Sequence, residues 1–164
     1  MRGVYTVQFN NVTANAADTD FDFFEIDAAA DKPVEIVAIR LDNVSEVGDA
    51  AEEMLRLAIL RFSGGTFTSG GELSTTPVAT DPSDGAASFA AEAFNSNGSA
   101  ASSSGTTVRP MSGAFNVRTG ETFVFPPEMR VKLDGTAQSA AVVRCESTVA
   151  DDTVLSGTLW VREL

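Results

Sequence analysis

Apolar and polar residues alternate with period two over much of this chain. In the segment from Phe21 to Phe62, Phe24 and Ile26 alternate with Glu25 and Asp27, Val37, Ile39 and Leu41 line one face of the next run, and Leu55, Leu57 and Ile59 repeat the pattern. The same reading along the whole chain predicts nine strands: Val4 to Phe9, Phe21 to Asp27, Pro33 to Asp42, Met54 to Phe62, Ala87 to Phe94, Gly113 to Val117, Glu121 to Phe125, Ser139 to Ser147 and Val154 to Arg162. Gly, Asp, Asn, Ser and Pro divide these runs at short intervals, the signature of an all-β fold built as an antiparallel β-sandwich or barrel.

Individual runs carry more detail. Pro33 to Asp42 is apolar on both faces, with Val34, Ile36 and Ala38 opposite Val37, Ile39 and Leu41, so it belongs at the centre of a sheet or at a contact between subunits. The stretch before Phe62 also has Ala51, Leu55, Ala58 and Phe62 at helical spacing, and splits into a helical turn near Ala50 to Met54 followed by a strand, the one short helix expected. In the closing run Leu155, Leu159 and Val161 share one face, while Trp160 interrupts the polar face of Ser156, Thr158 and Arg162. Between Phe62 and Met111 small polar residues take over, which predicts long, flexible surface loops over about 63–84 and 95–107 within a single domain spanning 1–164. Asp134-Gly135 reads as a turn.

Composition narrows the function. With 11 basic against 23 acidic residues the formal charge is -12, which repels phosphate backbones and anionic headgroups, so neither direct nucleic-acid binding nor membrane binding is expected. The first twenty residues, broken by Thr6, Gln8, Asn10 and Asn11, do not pattern as a signal peptide, and the expectation is synthesis in the cytoplasm. A single cysteine, Cys145, excludes an intrachain disulfide, and its place beside Ala141 and Val143 predicts a buried, inert thiol.

The chain contains no histidine, which removes the commonest general base, the Ser-His-Asp and Cys-His arrangements, and imidazole metal ligation. Carboxylates remain: Asp22, Glu25 and Asp27; Glu46, Asp49, Glu52 and Glu53; Asp151 and Asp152. Two of them across a cleft would suit glycoside hydrolysis, but solvated acidic faces explain each run. The Glu46 to Glu53 loop lacks the DxDxDG spacing of a dedicated calcium loop. The glycine pairs in SGGTF and SGGEL have no following Lys-Ser/Thr and read as turns. No catalytic residue, metal ligand or cofactor is assigned.

Three segments, FDFFEIDAAADKPVEIVAIRLDNVSEVGDAAEEMLR, TFVFPPEMRVKLDGT and DDTVLSGTLWVREL, resemble a group of small phage virion structural proteins. The resemblance covers most of the chain and least of Ser63 to Thr107. It implies a jelly-roll-like sandwich, without catalysis, acting as a head decoration or cement protein whose partner is the major capsid protein. The alternative it leaves open is a glycan- or receptor-binding module of a head fibre or tail. A homotrimer on the virion surface is expected, since symmetry multiplies a weak contact. The residues expected at protein interfaces are Val34, Ile36, Phe67 and Trp160.

Overall fold

The computed structural model describes residues 3–45, 53–96, 99–136 and 138–164. Fourteen strands are present among them: β1 (Val4–Ala14), β2 (Phe21–Asp27), β3 (Val34–Asn43), β4 (Met54–Ser63), β5 (Phe67–Thr68), β6 (Leu73–Ser74), β7 (Val78–Ala79), β8 (Ala90–Ala93), β9 (Ser102–Ser103), β10 (Thr106–Asn116), β11 (Glu121–Val124), β12 (Lys132–Leu133), β13 (Ala140–Cys145) and β14 (Thr153–Glu163). Among the described residues the one helical element is a 3₁₀ turn, Pro127–Met129. The helical turn expected near Ala50 to Met54 falls on residues 50–52, outside those described, and Met54 itself opens β4.

The strands form an all-β antiparallel sandwich. One sheet has the order β11-β3-β14-β1-β7, with β12 also on β3, and the other β10-β4-β13-β2-β8-β6. Without β12 and the short strands of the β4–β10 connection, the chain alternates between sheets at every step except β4 to β10. The two four-stranded orders, β11-β3-β14-β1 and β10-β4-β13-β2, are those of a jelly roll. The β1–β2, β10–β11 and β13–β14 connections then lie at one end of the sandwich.

Burial follows from where the alternation is kept and where it slips. β14 alternates without a break, with Leu155, Leu159 and Val161 inward. In β3 the register against β14 slips between Ile36 and Ala38, so the bulge at Val37 turns Val34, Ile36, Ile39 and Leu41 all into the core. In β2 the register against β13 slips between Asp22 and Phe24, which sends both Phe23 and Phe24 inward and Asp22 and Glu25 outward. The doubled phenylalanine feeds a ring cluster: Phe9 lies 5.3 Å from Phe24 and 5.6 Å from Phe94, and Phe21 lies 4.8 Å from Phe94. Each such ring contributes roughly 2 to 3 kcal/mol of burial, with a further ~1 kcal/mol from edge and offset geometry. Gly157 is where the cluster meets β14: a Cβ there would stand 2.4 Å from the Phe9 ring, so only glycine fits.

The stretch that joins β4 to β10 makes five short strands: β8 falls in the Ala87 to Phe94 run expected as a strand, and the expected loops carry only two-residue strands. β6 and β8 extend the sheet beyond β2, β7 extends the other sheet beyond β1, and β5 pairs with β9. Its aromatic contact on the outer face is Phe67, 5.5 Å from Phe62, over a second buried cluster of Ala58, Leu60, Phe62, Ala101, Ala140 and Val142. Over β2, β13 and the Ala58 to Phe62 part of β4, the outer face of the β10-β4-β13-β2 sheet is thus roofed by the chain itself, while that face of β10 and of the Met54 to Arg56 end of β4 stays exposed. The Asp134-Gly135 turn forms as expected, with Gly135 at φ 70 and Asp134 Oδ1 accepting from Thr136 N–H and Oγ1–H at 3.0 and 2.7 Å.

Candidate functional site

The expected interface residues do not converge. Val34 and Ile36 are 0% and 1% exposed, because the Val37 bulge aims both into the core; neither presents surface, and the expectation for them is corrected. Phe67 is half-buried on the roofed face, and Trp160 lies on the outer face of the opposite sheet.

Trp160 belongs to a bare, largely polar surface. Strict alternation in β14 points Ser156, Thr158, Trp160 and Arg162 outward. Registry then sets Trp160 between Thr6 of β1 and Ala38 of β3, and Thr158 between Gln8 and Arg40. Ala38 leaves room for the indole. Beside it an open concavity of about 370 Å³ is lined by Gln8, Asn10, Arg40, Asp42, Thr158 and Trp160, among others. Arg40 donates to both oxygens of Asp42, at 2.6 and 3.4 Å, and Ser156 Oγ–H donates to Asn10 Oδ1 at 2.8 Å. Further along the face, the buried Glu35 carboxylate accepts Arg130 at 2.6 Å and Arg162 at 2.5 Å, with Lys132 at 4.0 Å.

The roofed face holds a different set of charges. Asp22, 0% exposed, accepts Arg144 Nε–H at 2.6 Å, Arg144 Nη2–H at 2.9 Å and the Ala101 N–H at 2.7 Å, while Arg144 also donates to the Ala101 carbonyl at 2.6 Å. Burial pushes Asp22 up to about 6, against the pull of Arg144. Next to this pair, Glu25 of β2 stands directly opposite Glu92 of β8, and Glu72 enters from the residue before β6. The three carboxylates bring oxygens within 4.8 Å of one another. Burial first, then the neighbouring Glu25, raises Glu72 to about 9.

The run Asp22, Glu25, Asp27 was expected as a solvated face. Only Asp27 is exposed; the roof covers the other two. With Glu25 and Glu72 no more than 6% exposed, a sugar ring has no access between them, so the pairing does not serve as a glycosidase cleft. The residues of Glu46 to Glu53 other than Glu53 lie outside the described set. Cys145 is fully buried, its thiol pushed up to about 12 by burial, and it donates to the Ser147 carbonyl at 3.6 Å. Glu72 and Glu92 went unrecognised in the sequence. The adjacent Phe23 and Phe24 were the available signal, since a bulge there is what puts Asp22 and Glu25 on one face.

Comparison with known proteins adds little. No family model matches this chain, and no curated protein does. One solved structure, a mutant VP2 protein of infectious bursal disease virus from derived T=1 particles, aligns with 98% of this chain at 12% identity and a TM-score of 0.15. This chain spans 38% of the length of that one, and at that score the likeness carries no argument.

Proposed function

We propose that this chain is a phage virion structural protein, a decoration or cement protein that binds the outer head lattice and stabilises it without catalysis. The observation that carries the reading is the asymmetry of the sandwich: one outer face is roofed by the chain's own insertion, whereas the other leaves Trp160 partly exposed in the middle of a polar sheet surface. Tryptophan ringed by polar residues is the usual composition of a protein-contact hot spot. The resemblance of the Phe21 to Arg56, Thr122 to Thr136 and Asp151 to Leu164 segments to small virion proteins supports the same reading, as does the jelly-roll strand order. In this reading three copies assemble at a local three-fold axis of the capsid, where avidity offsets a weak single contact.

A second reading is favoured by the concavity beside Trp160. An indole plane flanked by Gln8, Asn10, Arg40, Asp42 and Thr158 also suits a sugar, as in a receptor-binding module of a head fibre or tail. Sedimentation of purified protein with expanded heads that lack it separates the two. Saturable binding at a fixed copy number, lost in Trp160→Ala, is the expected result. Failure to co-sediment, with a monomer in size-exclusion chromatography, overturns the cement reading, and glycan-array binding that needs Trp160 would put the receptor module in its place.

A further inference from the structure

We propose that the roof is fastened to the sheet by a bound divalent cation, Ca²⁺, held by Glu25, Glu72 and Glu92. The placement starts from registry. Glu25 pairs with Glu92 across β2 and β8, and Glu92 pairs with Ser74 across β8 and β6. Glu72, two residues before Ser74, points to the same side. Directly opposed like charges destabilise a sheet, and a third carboxylate is added here where water is excluded.

Among the described residues, the protein's own donors do not satisfy this cluster. Gly70 N–H reaches Glu25 Oε1 at 2.8 Å, and Ser69 Oγ–H reaches Glu92 Oε2 at 2.5 Å. Glu25 Oε2 and both carboxylate oxygens of Glu72 are buried without a partner. The nearby guanidinium of Arg144 is committed to Asp22 and the Ala101 carbonyl. Unpaired buried carboxylates cost several kcal/mol each, and a native cluster of them calls for a counter-charge.

Ligand chemistry selects the ion. All three donors are hard carboxylate oxygens, the set preferred by Ca²⁺ and Mg²⁺. One oxygen from each carboxylate lies within 4.8 Å of the others, close enough to reach a single ion. Ca²⁺ accepts a flexible, all-protein oxygen shell, whereas Mg²⁺ demands a near-ideal octahedron and keeps several waters, so a mostly buried set of three carboxylates favours Ca²⁺. Partly exposed Glu92 leaves a way in for the ion and for the waters that complete its shell. The alternative counter-charge is a proton shared between Glu25 and Glu72. A shared proton joins one Glu72 oxygen to Glu25 Oε2 and leaves the second Glu72 oxygen and the facing Glu92 carboxylate without a counter-charge.

The test uses the whole chain, freed of metal with EDTA and dialysed, in calorimetric titration with CaCl₂ and in thermal unfolding with Ca²⁺, Mg²⁺ or EDTA. A Ca²⁺ binding heat is expected, together with a Tm rise of about 5 °C or more at a 100-fold excess over Kd. Mg²⁺ gives a smaller rise, and Glu72→Gln removes the Ca²⁺ response. Glu92→Gln, at a partly exposed position, provides a folded second variant and is expected to weaken binding about 10-fold or more. Absence of Ca²⁺ heat and of any Tm change in the wild type overturns the site. So does an equal Ca²⁺ response in both variants, and so does a Glu72→Gln protein that is stabilised in EDTA while the wild type ignores Ca²⁺, which assigns the cluster to the shared proton. None of these outcomes depends on whether the protein binds capsids.

Discussion

The two outer faces of the sandwich are built by the same rule and end in different states. On the β11-β3-β14-β1 sheet, alternation sends Thr6, Gln8, Arg40, Thr158 and Trp160 outward, and they stay at the surface. On the β10-β4-β13-β2 sheet Arg56, Ser112 and Ala114 point outward and stay exposed, but Asp22, Glu25, Ala58, Leu60 and Val142, outward on β2, β4 and β13, are buried. The difference is the connection from 64 to 105, which closes over one face with Phe67 at its dry end and the Asp22–Arg144 pair at its charged end. A residue that points out of a sheet is therefore a surface residue only where nothing else in the chain comes back to cover it. One face is partly covered by the chain's own connection, and the other is left open to solvent.

The contrast breaks most severely at Arg144. Arg144→Ala removes both bonds to Asp22 and the bond to the Ala101 carbonyl, and leaves a carboxylate of 0% exposure without its cation. A loss of about 3 to 5 kcal/mol is expected in urea unfolding. A loss under ~1 kcal/mol would mean that water reaches Asp22 and that the roof does not seal this face.

Titration of Asp22 measures the same seal more finely. Its pKa is raised from 3.8 to about 6 in the fold, so between those values the folded chain holds the proton more tightly than the unfolded chain. The stability this contributes is complete below pH 3.8 and is lost as pH rises through about 6, on the order of 3 kcal/mol across the window. Urea unfolding at pH 4 and pH 6.5 should therefore show the wild type losing stability relative to Asp22→Asn as pH rises. The opposite trend would mean that the Arg144 pairing outweighs the burial.

Which parts of this were legible follows from how local each signal is. All nine expected runs overlap a strand, Gly113 to Val117 catching only the second half of β10, and β2 has the predicted limits, because period-two alternation is fixed by neighbours in sequence. The outward Trp160 was readable for the same reason. The bulges at Val37 and Phe23 were not, since a slip of one residue is decided by the partner strand, and it reversed the expected placement of Val34 and Ile36. The carboxylate cluster depends on a still longer-range event, the return of Glu72 over β2 and β8 from a glycine-rich stretch whose composition signals only turns. Phe67 stood out as the lone large apolar residue at the start of that stretch, but composition did not say which face it would close.

Phe67→Ala tests the dry end of the roof. The ring is half-buried against Phe62 and leaves the main core untouched, so the expected cost is about 1 to 2 kcal/mol, below that of a fully buried phenylalanine. Limited proteolysis should cut faster within 64–105 in the variant than in the wild type. An unchanged cutting rate and stability would leave the ionic end to hold the roof alone.

Trp160→Ala should give the smallest change in stability and the largest in binding. The indole sits on the uncovered sheet between Thr6 and the small Ala38, with solvent on its outer side, so truncation is expected to cost no more than about 1 kcal/mol. It is also the chain's sole tryptophan, which makes its fluorescence a direct report on that face. Acrylamide should quench it in the free protein, and capsid binding should protect it. If Trp160 is the contact residue, its removal should weaken capsid association about 25-fold or more, the equivalent of a hot spot of ~2 kcal/mol. A destabilisation of ~3 kcal/mol with unaltered association would make the indole part of the packing, and the two faces would then differ only in what covers them.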